Sequence, residues 1–284
     1  MVRIGDIEIA RVVEYAGPLF APTELLPDAT TSRLAAELGW MVPRHYDPAS
    51  GMLVNAVQSY VFRTRHHAIL VDTCVGNHKP NRRKPQWNDG EWPYLANLAA
   101  AGFAPADIDF VVLTHIHVDH VGWNTRLDGG RWVPTFPNAK YLIVRQELEH
   151  FQARAAANPQ SRAIYDDSLA PVLEAGQAVL VAPDHELDDH VRLSPSPGHT
   201  PGHVCVHVRS RGREGIVSGD VLHHPLQRVH PEWNSRACDD PAVARATRRS
   251  FLEGCADTDT VVLAAHFDPC RIRAAGDAFA FEDA

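Results

Sequence analysis

Cysteine is scarce and unpatterned in this chain. Five residues, Cys74, Cys205, Cys238, Cys255 and Cys270, are scattered over 284 positions, an odd number with no C-x-x-C pair. That spacing argues against a disulfide scaffold and against a thiolate metal site, and it fits reduced thiols in a cytoplasmic protein. Long apolar runs are lacking as well. Acids interrupt each hydrophobic stretch of "MVRIGDIEIARVVEYAG", and no segment approaches the ~20 apolar residues of a membrane span, so neither a signal peptide nor a membrane partner is expected. Positive charge is in deficit: the formal net charge is −8, which argues against nucleic acid, whose phosphates would be repelled. The basic runs "NRRKP" (81–85) and "RATRR" (245–249) read as solvated surface. Low-complexity tracts and Gly/Ser linkers are also missing. A single domain over residues 1–284 is therefore expected, with 15–50 and 74–95 as candidate lid or oligomerisation segments, the latter use implying a homodimer.

What the chain does have is strand-like runs rich in Val, Ile and Leu. They fall at 6–13, 58–64, 67–73, 109–114, 140–144, 178–183, 203–208, 214–219 and 260–265. Helical spacing of apolar residues marks 92–102, which stops at a glycine, and 239–254, which opens with Asp at the N-cap and Pro at the first helical position and closes on Gly254. Strands and helices in this mixed order suggest packed sheets with helices outside.

Histidine is abundant, at 17 residues. The stretch "LTHIHVDHVGWN" (113–124) places His115, His117, Asp119 and His120 directly after the apolar run "DFVVL". "HVRLSPSPG" leads to His199, "GIVSG" ends in Asp220 and "TVVLAA" ends in His266. Four apolar runs thus each deliver metal-capable side chains at their C-terminal ends, and strand ends can gather on one edge of packed sheets. In an extended backbone the two imidazoles of "HIH" point the same way. Imidazole nitrogens and carboxylate oxygens suit Zn²⁺ and also Mn, Fe or Co. Two dications held ~3.5–4 Å apart repel, so a carboxylate such as Asp220 that can bridge them is valuable.

"HIHVDH" resembles the H-x-H-x-D-H signature of the metallo-β-lactamase-fold hydrolases. "PGHTPGH", "SGD" and "AAHF" follow in that family's order, and "LVDT" with Asp72 precedes it, so that the resemblance covers roughly residues 53–268. The resemblance implies an α+β fold, the four-layer αβ/βα sandwich with a metal site at one edge of the two sheets. It implies two divalent ions, Zn²⁺ foremost: one on His115, His117 and His199, the other on Asp119, His120 and His266, with Asp220 shared. Asp72 would orient a ligand, and His203 would be structural or support the site. The implied reaction is hydrolysis of a small-molecule ester, a lactone foremost, by a hydroxide shared between the metals, with Asp119 moving the proton.

The pattern is most similar to the quorum-quenching lactonases and the methyl-parathion-hydrolase-like branch. Where those lactonases carry a Tyr three residues after the bridging Asp, this chain has His223, which can still donate a hydrogen bond to a developing oxyanion. An aryl-ester or organophosphate hydrolase is the alternative on the same site. A mononuclear non-haem iron oxygenase resembling the persulfide dioxygenases is the alternative from another class. The segments 74–95, with Trp87, Trp92 and Tyr94, and 122–140, with Trp123, Trp132 and Phe136, could wall an apolar pocket or simply anchor long loops.

Overall fold

The computed structural model describes residues 1–82 and 84–284; Arg83, within the basic run 81–85, lies outside the described residues. The first sheet holds β1 (Val2–Ile4), β2 (Ile7–Phe20), β3 (Tyr46–Asp47), β4 (Met52–Arg63), β5 (Ala68–Val71) and β6 (Phe110–Val112). After a separate hairpin, β7 (Thr125–Asp128) with β8 (Arg131–Pro134), it is completed by β9 (Lys140–Val144) and β10 (Ala178–Val181). Its order is β1-β2-β4-β5-β6-β9-β10, with β3 paired to β4. The second sheet runs in chain order: β11 (Val191–Pro195), β12 (Val204–Ser210), β13 (Arg213–Gly219), β14 (Val261–Ala264), β15 (Cys270–Ala275) and β16 (Ala278–Asp283).

The period of two in the strands explains the layering. Ile69 and Val71 of β5 face the second sheet, packing in one cluster with Leu193, Val206, Val217 and Leu263. Leu70 between them faces the other way, with Val111, Tyr141, Tyr94, Leu98, Leu148 and Phe151. The second sheet does the same: Ile216, Val262 and Ile272 pack outward against Leu252 and Cys255 of the helix Pro241–Cys255. The result is helices, sheet, sheet and helix in four layers. β5, β6, β9 and β10 are mutually parallel and read as continuous apolar runs because both of their faces are covered.

Each expected strand-like run falls on a strand and 140–144 is reproduced as β9, but β2 runs on to Phe20 and β4 begins at Met52, well beyond the expected 6–13 and 58–64. The helix expected over 92–102 occupies Tyr94–Ala100, and the one over 239–254 occupies Pro241–Cys255 with the Asp240 carboxylate capping the N–H groups of Ala242 and Val243. The sequence pattern does not mark the helix Arg145–Ala157 and the helical run after it, nor β15 and β16. "RQELEHFQARAAA" buries only the narrow stripe Leu148, Phe151 and Ala155 plus Glu147, too few apolar residues to mark the helix.

This topology delivers the site. β5 and β6 run parallel, as do β13 and β14, and β11 is antiparallel to β12, which is antiparallel to β13. The C-terminal ends of β5, β6, β11, β13 and β14 therefore share one edge. Over that edge lies the N-terminal segment, whose short helices bring Leu25, Leu26, Leu34 and Met41 against Leu226 and Trp233. Among the described residues no helix is long and apolar enough to cross a membrane.

Candidate metal centre

Asp72 follows β5 with a left-handed φ of 59°, a conformation Asp tolerates better than most residues. From there its Oδ1 accepts the Thr114 backbone N–H at 2.8 Å, and its Oδ2 accepts the Thr114 hydroxyl at 2.8 Å and His120 Nδ1–H at 2.9 Å. One buried carboxylate thus pins both ends of the turn that carries the histidines. Thr114 Oγ1, having given its proton to Asp72, accepts from His115 Nδ1 at 3.1 Å. His266 Nδ1 donates to the Ala56 carbonyl at 2.9 Å. These outer bonds fix the ring orientations, so that His115, His120 and His266 each turn Nε2 inward, although burial is outweighed by Asp220, which raises His120 and His266 above the usual histidine range.

The inward atoms form two groups. His115, His117, His199 and Asp220 make one; Asp119, His120 and His266 make the other, and within each group one ligand atom per residue lies within 4.8 Å of the rest. In the first, His117 Nδ1 sits 3.1 Å from His115 Nε2 and 2.8 Å from His199 Nε2. Asp220 stands between the groups. Its Oδ2 is 3.1 Å from His199 Nε2 and 3.7 Å from His115 Nε2; its Oδ1 is 2.9 Å from His266 Nε2 and 3.2 Å from His120 Nε2. Asp119 closes the second group, 3.8 Å from both His120 and His266.

This donor set fits divalent cations on the chain's own terms. Among the buried atoms without a hydrogen-bond partner are His120 Nε2 and Asp220 Oδ1, both aimed into the cluster. Three imidazole nitrogens converging at hydrogen-bond distance cannot all donate to one another, but a cation between them would satisfy every lone pair. Neutral imidazole and ionised carboxylate are the forms a metal takes. Burial, aided by neighbouring histidines, pulls His115 and His117 well below the usual histidine range. Burial opposes ionisation of Asp220, yet His266, His120 and His199 around it hold its carboxyl well below the usual carboxylate range. At His199 burial is outweighed by Asp220, and the imidazole is pushed up to about 9.

A cavity of about 340 Å³ opens onto the cluster, reaching His117, Asp119, Asp220, His223 and His266. Phe20, Glu24 and Leu25 of the N-terminal segment form part of its wall, as does Trp87. The other loop aromatics are anchors. Tyr94 stacks on Trp123 at 5.3 Å, Trp123 Nε1 donates to Glu14 at 2.8 Å, Trp92 meets Tyr15 edge-on, Trp132 lies under Lys79 Nζ at 3.7 Å and Phe136 is in the core. All five cysteines are free, and none has its sulfur among the cluster atoms.

The profile of the metallo-beta-lactamase superfamily matches residues 52–266. The chain belongs to that superfamily. Among curated relatives, an N-acyl homoserine lactonase of Bacillus cereus is 26% identical over 179 residues, 59% of this chain and 64% of the relative. The N-acyl homoserine lactonase AttM of Agrobacterium fabrum is 32% identical over 136 residues, 43% of this chain and 46% of the relative. The chain thus spans less than two thirds of the length of either. Two solved structures show the same fold over the whole chain. One, described as hydrolase AbOPH in the beta lactamase superfamily, has a TM-score of 0.84 at 20% identity, covering 100% of this chain and 96% of that one. The other, AidC, a dizinc quorum-quenching lactonase in complex with a product, has a TM-score of 0.81 at 21% identity with the same coverage.

This superfamily member brings all seven expected ligands together, with Asp72 behind His120 and His223 beside Asp220. His223 is buried with neither ring nitrogen hydrogen-bonded; its Nε2 lies 3.3 Å from Asp220 Oδ2 and its ring stacks towards His266 at 5.9 Å. It is not a satisfied core histidine. Burial, against the pull of Asp220, lowers it to about 3, so it is neutral. His203 supports Asp220 from behind. Its Nε2 accepts the Asp220 backbone N–H at 2.9 Å while Nδ1 bonds Ser196 Oγ at 2.8 Å. Gly219 makes room for His203, since a Cβ there would meet its Nε2 at 2.6 Å at a φ of 48°.

Sequence reasoning missed Glu147 and Asn55. Glu147 Oε1 accepts the Ile116 N–H at 2.8 Å and Oε2 accepts the Gly202 N–H at 3.0 Å, joining the loop of His115 and His117 to the loop of His199. Asn55 Nδ2 donates to the His223 carbonyl at 2.8 Å. Both act on main-chain groups, which carry no mark in a sequence.

Proposed function

We propose that this chain is a dinuclear metal-dependent hydrolase of small-molecule esters, lactones foremost, and that residues 1–284 act as one domain. The observation that carries the proposal is the placement of Asp220, whose two oxygens address separate groups, 3.1 Å from His199 and 2.9 Å from His266. His115, His117 and His199 would hold one ion, Asp119, His120 and His266 the second, and Asp220 both, with Zn²⁺ the best match to the nitrogen-rich donors. Such a pair supplies Lewis acidity and a water whose pKa falls to ~7.

The chain's own groups supply the rest. Asp119 is at the cavity floor with 12% of its side chain exposed, and it is placed to take a proton from an attacking water and return it to a leaving group. His223, neutral and with both nitrogens unengaged, can turn a donor towards an oxyanion growing on the substrate. Asp72, Thr114 and Ala56 hold the imidazoles in the orientations they need. The lactonase relatives support the lactone as substrate. His223, standing where the resemblance to the lactonases would place a tyrosine, favours an aryl ester or organophosphate as the second reading.

The test is metal content per chain on freshly purified protein, with turnover of a lactone and an aryl-ester panel measured on the same sample. Two equivalents of Zn, Mn or Co and chelator-sensitive hydrolysis are expected, and the ranking of the panel selects the ester class. One equivalent of iron without hydrolysis would replace this reading with the mononuclear oxygenase. Asp220→Ala is expected to lose both ions together; retention of full metal and activity would remove its shared role.

A further inference from the structure

The composition of the cavity wall points to a feature of the substrate, an inference that rests on the hydrolase reading above. Outside the two metal groups, the wall holds four cationic side chains, Arg82, Lys84, Arg154 and Arg236, against two carboxylates, Glu24 and Asp239. Asp167, behind the wall, neutralises Arg82, which leaves a balance of one positive charge in a chain that as a whole is at −8, so the wall is opposite in sign to the rest of the molecule. A cleft of one sign set in a surface of the other concentrates ligands of complementary charge.

Three of the four cations are already matched. Arg82 Nη2 bonds Asp167 at 2.8 Å, Lys84 Nζ bonds Glu24 at 2.8 Å, and Arg154 Nη1 lies 3.2 Å from Asp239, whose other oxygen takes His150 at 2.8 Å. Arg236 is different. Among the described residues no carboxylate pairs with it; its Nη2 donates to the Thr23 carbonyl at 3.0 Å, and its backbone N–H donates to the Leu25 carbonyl at 3.0 Å. Those two bonds tie the exposed Arg236 to the Pro22–Leu25 helix, and among the described residues only one of its five guanidinium donors meets a protein acceptor. That planar fork matches a carboxylate or phosphate in two parallel bonds. Phe20, Leu25, Trp87 and Phe151 line the same cavity and would cover an apolar spacer between the fork and the metal groups.

We infer that Arg236 forms an oxyanion-recognition subsite in this cavity, and that the substrate is a small ester or lactone bearing a carboxylate or phosphate remote from its scissile bond. A neutral acyl chain would leave this guanidinium facing solvent and gain nothing from it. The subsite is a specificity determinant: it acts on binding of the anionic substrate and makes no contact with the reacting bond.

The experiment uses the metal-loaded chain and reads binding and turnover separately. Calorimetric titration compares succinate, glutarate, adipate and 3-phosphopropionate with butyrate, in the wild type, in Arg236→Gln and in Arg162→Gln. Arg162 is exposed, pairs with Asp166 and does not line the cavity, so it controls for charge alone. The best dianion is expected to bind about five- to tenfold more tightly than butyrate, as for a charge-assisted pair at a partly solvated position. Arg236→Gln is expected to bring that ratio to within about twofold and Arg162→Gln to leave it; the ranking of glutarate against 3-phosphopropionate tells carboxylate from phosphate. Absence of a dianion preference in the wild type, or its survival in Arg236→Gln, overturns the inference. In the second arm, kcat/KM for the 4-nitrophenyl monoester of glutaric acid is compared with that for its neutral methyl ester, and the anionic member is expected to lead through KM. If neither ester turns over while the dianion preference stands, the hydrolase reading fails and the subsite does not.

Discussion

Replacing Glu147 with Ala tests how far the metal centre depends on a residue that touches no metal-facing atom. The carboxylate accepts the Ile116 and Gly202 N–H groups at 2.8 and 3.0 Å from a position that is 2% exposed. Gly202 is packed so closely that a Cβ there would meet the Glu147 nitrogen at 2.5 Å, so neither loop can close over the gap with a larger residue. Truncation orphans two buried donors, at ~1–3 kcal/mol each. Part of that is returned, because burial raises the Glu147 carboxyl and its removal relieves a desolvated acid. A net loss of about 2–4 kcal/mol follows, or roughly 4–10 °C in Tm for a chain of this size. The segments released carry His117 and His199, whereas His115 remains tied through Thr114 and Asp72, His120 through Asp72 and His266 through Ala56. The first metal equivalent should therefore weaken before the second, by about 10- to 100-fold. Chelator competition resolved into two equivalents, beside thermal melts of the metal-free protein, reads both effects. If Glu147→Ala releases both equivalents with wild-type affinity, or melts within about 1 °C of wild type, the carboxylate is not holding the loops together and the reasoning fails.

Asp72→Asn disturbs the acceptor shared by His120 Nδ1–H and by the Thr114 hydroxyl that orients His115, so both equivalents should lose affinity, the second by roughly 10- to 100-fold, measured by the same competition. His223→Phe should keep both metals and lower kcat on esters about 100-fold, the scale of losing one oxyanion donor; unchanged kcat would remove it from the mechanism. Glu14→Gln is a test by pH. Burial raises Glu14 from 4.5 to about 7 against the bonds it accepts from Val75, Gly76 and Trp123. A folded-state value above the unfolded one means that its contribution to stability is complete below pH 4.5 and is lost as pH rises towards 7, by about 3 kcal/mol. Urea unfolding of the metal-free variant between about pH 4.5 and 8 should lack that decline; an identical slope in both proteins would refute it.

The parts of this molecule that were legible in its sequence share a physical property: they are constrained by side-chain identity over short spans. A metal accepts few donor types, so a candidate site shows as His115, His117, Asp119 and His120 crowded into one turn, and strands buried on both faces are runs of Val, Ile and Leu such as β9. Asp72 was readable for the same reason, as an acid at a strand end. Glu147 was not, because its partners are peptide N–H groups that every residue but proline possesses, and because in "RQELEHF" it is indistinguishable from the solvated acid Glu149 two positions on. The cavity was legible only in part: the segments 15–50 and 74–95 do supply Phe20, Glu24, Leu25 and Trp87, whereas residues near 151–161 and 235–239 join the wall from windows that carry no such mark. The pairing state of Arg236 depends on where Glu24, Asp239 and Asp167 choose their partners, a competition among side chains far apart in the chain. Residues that fix a fold family thus sit in a short motif, while residues that would select a substrate meet only in the folded chain, which is why a shared motif leaves the substrate open.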